Sequence, residues 1–233
     1  MAIIEFRNVS KKYLMGEVTI NALHDASFTI NKGELVCILG PSGAGKTTCL
    51  NILGGMDSPT FGDVIVDGVN ISILKGKNII KYRRKDIGFV FQFYNLVSNL
   101  TAIENVELAV QLTKDHLEPK EALKLVGLEN RLNNFPSQLS GGEQQRVAVA
   151  RAIAKHPNVL LCDEPTGALD YKTGKQILAL LQDCARKNNM TVVIVTHNSA
   201  IKDMADKVIH FKNGTVTKIE INKNPTPIEM IEW

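Results

Sequence analysis

The sequence has no apolar run close to the roughly 20 residues that a membrane-spanning helix needs. Its first residues, Met1–Arg7, are strand-like and lack the layout of a secretory signal peptide. Internal repeats and low-complexity tracts are also missing. Together these absences argue against a membrane-spanning or secreted protein, and they predict a cytoplasmic location.

Cysteine is scarce, and charge of one sign does not dominate. The four cysteines, Cys37, Cys49, Cys162 and Cys184, show no C-x-x-C spacing, so we expect reduced thiols in the core rather than a metal site or a disulfide framework. The net charge is +3, from 27 basic and 24 acidic residues. That is too small to indicate nucleic-acid binding, and we predict no nucleic-acid partner.

A glycine-rich stretch fits the pattern G-x-x-x-x-G-K-[ST]. It consists of Gly40, Pro41, Ser42, Gly43, Ala44, Gly45, Lys46, Thr47 and Thr48. A short apolar run of buried-strand type precedes it, and a helical stretch follows. In this context glycines let backbone N–H groups turn around a phosphate, and the new helix points its positive end there. The stretch predicts a triphosphate site in which Lys46 reaches the β- and γ-phosphates and Thr47 ligates Mg²⁺.

An acidic pair, Asp163 and Glu164, directly follows the apolar run Val159–Cys162. A carboxylate at the end of a buried strand can hold Mg²⁺ through water, and a neighbouring glutamate can polarise an attacking water. A surface pair of acids is the structural alternative, which the four preceding apolar residues disfavour.

A second helix start has the composition of a phosphate site. It comprises Leu139, Ser140, Gly141, Gly142, Glu143 and Gln144. Ser140 is predicted to be the N-cap, Glu143 completes a capping box, and the two glycines expose N–H groups. A purely structural capped helix is the alternative, although it would not require two glycines at this place.

The remaining pattern predicts an α/β core with parallel strands. Residues 3–7 and 18–30 are expected to be strands, with Tyr13 between them on a loop, where it stacks on a base or is simply exposed. Residues 94–156 are expected to be a mainly helical insertion. The basic run 75–85 is expected to be a solvated face, with a phospholipid or partner contact as the less favoured alternative. Asn213-Gly214 predicts a hairpin turn.

The two glycine motifs, the D-E-P sequence and a lone histidine at a strand end resemble the ABC-type ATPases, over residues ~3–221. The resemblance implies a P-loop NTPase fold with an antiparallel β subdomain and an inserted α-helical subdomain. It also implies a homodimer formed with ATP. In that dimer, each ATP lies between the phosphate loop of one subunit, residues 40–48, and the signature of its partner, residues 139–144. Matching this sequence to the family's motifs implies that Tyr13 stacks on adenine and that Gln92 links Mg²⁺ and water to the membrane partner. It also implies that Asp163 is the magnesium carboxylate, Glu164 the general base and His197 the sensor of the γ-phosphate. Ala168, Leu169 and Asp170 would form the dimer loop.

Four segments resemble the MacB/LolD type, with the cell-division ATPase FtsE and bacitracin-type resistance ATPases as relatives. They are Leu53–Thr60, Ile87–Gln92, Leu100–Val106 and Asp163–Asp170. This resemblance implies a separate chain that docks on a membrane permease and is peripheral to the membrane, with an extracytoplasmic adaptor reached through the permease. We expect the docking site in a groove near Gln92–Leu96, where the core meets the helical insertion. The exported or extracted substrate stays open.

We expect one ATPase domain over residues 1–222 and a C-terminal tail over residues 223–233. Two other functions remain open from the sequence. One is an ABC ATPase that acts without a channel, such as a cell-division or iron–sulfur assembly factor. The other is a non-hydrolysing regulatory subunit, against which the presence of Glu164 and His197 argues.

Overall fold

The computed structural model describes residues 2–111, 113 and 115–232. The strands are β1 (Ala2–Met15), β2 (Val18–Asn31), β3 (Leu35–Leu39), β4 (Phe61–Val66), β5 (Val69–Asn70), β6 (Ile87–Val90), β7 (Val159–Asp163), β8 (Thr191–Thr196), β9 (Lys207–Lys212) and β10 (Thr215–Ile221). The helices are α1 (Lys46–Leu53), α2 (Lys77–Lys85), α3 (Ala102–Val110), α4 (Pro119–Leu125), α5 (Gly141–Ile153) and α6 (Tyr171–Asn188). Short 3₁₀ turns span Ile71–Ile73, Pro136–Gln138, Ser199–Met204 and Ile228–Met230.

The larger sheet has the order β10-β9-β3-β8-β7-β6, and its strands are parallel from β9 to β6. Every residue of β3 and β8 is buried, as expected for strands covered on both faces. One face packs on α3 to α6, and the other packs on α1 and the second sheet. Because parallel strands end at one edge, β3, β7 and β8 bring the phosphate loop, the acidic pair and His197 to the same side.

The smaller sheet is antiparallel and has the order β2-β1-β4-β5. The expectation that the first strand ends at residue 7 is wrong, because β1 runs on until Met15 pairs with Val18. Bulges between Phe6 and Lys11 break the alternation of buried and exposed residues, which hides the strand from a pattern of period two. Tyr13 therefore lies on a strand rather than on a loop.

The helices α3, α4 and α5 lie within residues 94–156, as the sequence predicts. Thr101 and Glu104 form the expected capping box at the start of α3. These helices share one apolar cluster with β7, β8 and α6. The hairpin turn at Asn213-Gly214, where both residues have positive φ, is confirmed, and the four cysteines are buried and free, also as predicted.

The C-terminal residues are packed against the core. Ile228 is fully buried and Ile231 nearly so, both in the cluster that contains α6. The side chain of Gln182 on α6 donates to the carbonyl of Thr226 at 3.1 Å and accepts from the N–H of Ile228 at 3.1 Å. The N–H of Thr226 in turn donates to the Asp203 carbonyl at 2.8 Å. This segment therefore ties α6 to the 3₁₀ turn that follows His197.

The Ile228→Ala variant should lose about 2–5 kcal/mol of unfolding free energy, because it removes a fully buried side chain and leaves a cavity. Met230→Ala is the matched control, since that side chain is 77% exposed. Denaturant titration of both variants measures the difference. Equal stability of the two variants would show that the C-terminal segment is not part of the folded core.

Candidate functional site

The phosphate loop joins β3 to α1 and is held by close backbone contacts. A Cβ on Gly40 would collide with the carbonyl of Phe211, and one on Gly45 would collide with the carbonyl of Ala22. Gly45 also has φ of +96°, which disfavours any other residue. Gly45 is the N-cap of α1, and no side chain caps this helix. The first N–H groups of α1 are therefore open toward an anion.

Lys46 is buried and turns back over the loop. Its Nζ donates to the carbonyls of Gly40 at 2.8 Å and Pro41 at 3.0 Å. Both partners are neutral, so the ammonium charge stays available to a ligand held by the loop. The structure thus places the cation of the motif over the loop residues Gly40 and Pro41.

Thr47 and Asp163 meet at the foot of the loop. The Thr47 hydroxyl lies 3.4 Å from the Asp163 carboxylate. Burial raises the pKa of Asp163, and the neighbouring negative charge of Glu164 raises it further. A hydroxyl and a carboxylate oxygen are ligands that Mg²⁺ accepts, and this ion ordinarily completes its shell with phosphate oxygens and water. The donor set therefore fits Mg²⁺ bound together with a triphosphate; within the described ranges, no group of three or more His, Cys, Asp or Glu residues could hold a metal by itself.

Glu164 lies at the end of β7 in a strained backbone conformation. Its φ is +46°, uncommon for a non-glycine residue. The N–H of Glu164 donates to the carbonyl of Val195, at 2.9 Å, which holds it against β8. His197 Nδ1 lies 2.8 Å from Glu164 Oε1. The imidazole is 67% exposed and the carboxylate 17%, so the pair faces the solvent side where an attacking water would enter.

Gln92 lies next to Gly167, in the loop that follows the acidic pair. Its amide nitrogen lies 2.9 Å from where a Cβ of Gly167 would be, and the N–H of Gly167 donates to the Glu164 carbonyl at 3.0 Å. A side chain at this position would push against the end of the Gln92 side chain. The structure therefore brings Gln92, Glu164 and His197 to the end of the sheet where the phosphate loop lies.

The signature helix start is capped by its own side chains. The Ser140 N–H and hydroxyl each donate to the Glu143 carboxylate at 2.9 Å, and Arg131 Nε contacts the other carboxylate oxygen at 3.0 Å. The backbone N–H of Ser140, followed by Arg131 and the Ser140 hydroxyl, lowers the pKa of Glu143 despite partial burial. The predicted capping box is confirmed, and Gln144 donates to the Leu139 carbonyl at 3.1 Å.

The signature lies against a different set of residues from the phosphate loop. A Cβ on Gly141 would meet the Tyr94 hydroxyl, and one on Gly142 would meet Thr173. Leu169, of the predicted dimer loop, is the next neighbour of Gly141. In the part of the chain that the structure describes, no hydrogen bond joins residues 139–144 to residues 40–48. The fold brings the phosphate loop, Gln92, the acidic pair and His197 to one edge of the sheet, whereas the signature lies apart from them.

The predicted dimer loop, Ala168–Asp170, leads directly into α6. Asp170 caps that helix by accepting from the N–H of Thr173 at 3.1 Å. The same Thr173 borders Gly142 of the signature. The loop and the signature therefore lie together on one surface.

Tyr13 makes more contacts than an exposed loop residue would. Its hydroxyl donates to Asp57 at 2.7 Å, and Lys11 Nζ lies 4.8 Å from the ring centroid. Burial and the bond to Asp57 raise the pKa of the Tyr13 hydroxyl. On β2, Ile20 is paired directly opposite. The tyrosine is thus a fixed, half-buried ring rather than a mobile one.

Two polar residues that sequence reasoning missed hold the segment after β6. Arg151 donates to the carbonyls of Asn95 at 2.6 Å and Tyr94 at 2.9 Å. Gln145 is fully buried and donates to the carbonyls of Phe91 at 3.3 Å and Pro165 at 2.9 Å. Both residues lie on α5, Gln145 directly after the signature and Arg151 near the end of the helix. Their partners are backbone carbonyls far away in sequence, so no local pattern marks them.

In the described ranges, no helix is both long and apolar enough to span a bilayer.

Comparison with known proteins agrees with this geometry. The family model described as "ABC transporter" matches residues 23–167. The ABC transporter ATP-binding protein MJ0796 of Methanocaldococcus jannaschii is 46% identical over 226 residues, which are 93% of this chain and 96% of that protein. A solved dimeric structure of MJ0796, in a post-hydrolysis state with ADP and Pi, has a TM-score of 0.87 at 43% identity and covers 95% of this chain and 99% of that one.

Two relatives are named for transport systems. The lipoprotein-releasing system ATP-binding protein LolD of Syntrophotalea carbinolica is 42% identical, over 93% of this chain and 97% of LolD. The macrolide export ATP-binding/permease protein MacB of Pectobacterium atrosepticum is 43% identical over 92% of this chain, which spans only 34% of MacB. The chain therefore belongs to the ABC transporter family, as an ATP-binding, ATP-hydrolysing protein similar to LolD and to the ATPase part of MacB.

Proposed function

We propose that two copies of this chain bind head to tail around ATP and Mg²⁺, and that the dimer drives a separate membrane permease. The observation that carries the dimer is the separation of the two phosphate-binding helix ends. The α1 end lies with Asp163 and Glu164, whereas the α5 end lies with Leu169 and Tyr94. A second copy would supply the α5 end that each phosphate loop lacks. The dimeric structures of MJ0796 support this arrangement.

Within each site we assign a role to each residue of the phosphate loop and the sheet edge. The N–H groups of residues 40–48 and the ammonium of Lys46 bind the β- and γ-phosphates. Thr47, Asp163 and Gln92 hold Mg²⁺, which when bound neutralises phosphate charge. Glu164 accepts the proton of the attacking water.

Three further elements complete the proposed site. His197, held by Glu164, contacts the γ-phosphate. Tyr13 stacks on adenine. Ser140 and the N–H groups of Gly141 and Gly142 reach the γ-phosphate from the partner subunit, and Ala168–Asp170 cross the interface.

The chain is proposed to work at the membrane through its permease rather than to span the bilayer. LolD, which this chain matches over 97% of the length of LolD, is named as the ATP-binding protein of a lipoprotein-releasing system. MacB is named as both the ATP-binding protein and the permease of macrolide export. We therefore place residues 1–222 as one ATPase unit, with the helical insertion 94–156 contributing to the docking face. An extracytoplasmic adaptor would join through the permease. Macrolide-type efflux, lipoprotein release and peptide resistance remain the candidate tasks.

The segment Gln92–Leu96 is the proposed docking site for the permease. Arg151 fixes its backbone, while the Phe93 side chain is 70% exposed. A rigid backbone that presents a large apolar side chain is suited to protein contact.

The Glu164→Gln variant tests the ATPase mechanism. The amide keeps the shape of the side chain but cannot accept a proton, so hydrolysis should fall about 100-fold or more while ATP still binds. The variant should accumulate as an ATP-bound dimer, visible by light scattering. Adding Ser140→Arg should abolish that dimer, because a bulky cation would block the signature. Normal hydrolysis by Glu164→Gln, or a dimer that survives Ser140→Arg, would contradict the proposal.

The Phe93→Asp variant tests the docking segment. Permease binding and permease-stimulated ATPase should be lost, since a charge replaces an exposed apolar contact, while ATP binding stays unchanged. Ile221→Asp is the control, because Ile221 is 72% exposed on β10, outside both Gln92–Leu96 and the helical insertion. Co-purification with the permease measures the effect. Full stimulation of Phe93→Asp would place the contact elsewhere, and a native chain that never associates with a membrane protein would favour an ABC ATPase without a channel.

A further inference from the structure

The helix α2 carries most of a strongly basic run. Residues 75–85 contain six cations and no acid, namely Lys75, Lys77, Lys81, Arg83, Arg84 and Lys85. The sequence alone favours a simple solvated face for such a run. The structure adds two facts to that pattern: which side of α2 is fixed to the core, and what is mixed with the cations on the other side.

The inner side of α2 is anchored. Tyr82 is buried, and its hydroxyl donates to the Leu53 carbonyl at 2.6 Å. Ile79 is half-buried against the same core. At 100° per residue, the opposite side presents positions spaced i, i+3, i+4 and i+7. We call this side the α2 face; its residues are Lys77, Ile80, Lys81 and Arg84.

Apolar side chains are exposed among these cations. Ile80 is 51% exposed in the middle of the α2 face, Ile73 is 71% exposed just before the helix, and Met56 is 42% exposed beside it. Exposing large aliphatic groups to water is unfavourable, so their position among the cations favours a surface that contacts something apolar. A helix with cations around an aliphatic anchor has the composition of segments that lie on an anionic lipid surface.

The charges around the α2 face are mainly unneutralised. In the described residues, no carboxylate lies within ion-pair distance of Lys77, Lys81 or Arg84. The nearby acids are Asp67 and Asp86, which border a cleft on one flank of the helix with Lys81 and Lys85. The opposite flank of the helix carries further cations, and none of the described acidic residues lines it.

That other flank is a cavity of about 330 Å³ lined by Arg83, Arg84 and Lys155, with Met56 and Phe89 among its apolar residues. Lys155 Nζ donates to the Ile87 carbonyl at 2.6 Å. Burial, followed by the charges of Arg151 and Arg83, lowers the pKa of Lys155 to about 8. A phosphate-bearing group at the mouth of this cavity would relieve that repulsion.

The α2 face is continuous with the proposed permease-docking segment. Phe89, which lines the cavity, stacks on Phe91 with ring centroids 4.4 Å apart. Lys155 lies four residues after Arg151, and Arg151 donates to the carbonyls of Tyr94 and Asn95 in the docking segment. A chain docked through Gln92–Leu96 would therefore carry the α2 face on the side that approaches the bilayer. This orientation rests on the proposed function.

We propose that the α2 face binds the anionic headgroups of the membrane next to the permease, with Ile80 inserted among them. Lys77 is exposed on the outward side of the helix, and Lys81 and Arg84 border open clefts on its two flanks. Cations spread over such an open surface suit a lipid surface better than an acidic protein segment. The contact would be weak alone and would add to docking on the permease, since two weak sites on one surface act together.

The experiment is sedimentation of the purified chain with vesicles, without any permease. Wild type should bind vesicles of phosphatidylcholine with phosphatidylglycerol and not vesicles of phosphatidylcholine alone, and salt should weaken binding. The variant Lys77→Gln, Lys81→Gln, Arg84→Gln should partition about 100-fold more weakly, from about fivefold per cation. The control Lys124→Gln, Lys212→Gln, Lys223→Gln removes the same charge from other exposed positions and should bind as wild type.

Equal binding of both triple variants, or no preference of wild type for the anionic vesicles, would overturn the proposal. Loss of binding to detergent-solubilised permease by the α2 variant, with no lipid preference in wild type, would instead assign the face to a protein contact. ATP hydrolysis of each variant without vesicles reports on the proposed function alone, so failure of one proposal is distinguishable from failure of the other.

Discussion

The close packing of the phosphate loop against two backbone carbonyls is the constraint on which the site depends. Gly40 lies against Phe211 and Gly45 against Ala22, so neither position can carry a side chain. The turn at Gly214 adds a further tie, since its N–H donates to the Ala44 carbonyl at 3.1 Å. The loop is thereby held open with an uncapped helix behind it. An anion is the natural partner of such a helix end, and Lys46 is already folded into place beside it.

The two helix N-termini of the proposed site differ in how they are capped. The α1 terminus has no side-chain cap, whereas the α5 terminus is capped by Ser140 and Glu143. The capped end contacts Tyr94, Thr173 and Leu169, not the phosphate loop. In the proposed dimer, this end would meet the phosphate that the other subunit holds.

The helix α6 connects these parts mechanically. It is capped by Asp170 of the predicted dimer loop, borders the signature through Thr173, and binds the C-terminal segment through Gln182. That segment also bonds the turn that follows His197 through Asp203. The predicted dimer loop, the signature and the turn after His197 are therefore linked by direct contacts through α6 and the C-terminal segment.

The sequence predicted the parts of the site that depend on local chemistry. The phosphate loop, the acidic pair and both capping boxes are short patterns with a physical reason for each residue. The alternation of strands and helices places the loop and the acidic pair at one sheet edge. Tyr13 on a strand was not predicted, because bulges between Phe6 and Lys11 break the alternation. The roles of Arg151, Gln145 and Gln182 depend on carbonyls distant in sequence, which only the folded chain reveals.

The structure of the Glu164→Gln variant with ATP tests the central claim most directly. Our account predicts a head-to-tail dimer in which the γ-phosphate held by Lys46 of one subunit accepts hydrogen bonds from Ser140 and the Gly141 and Gly142 N–H groups of the partner. A γ-phosphate contacted by one chain only, with Ser140 facing solvent in both subunits, would contradict it.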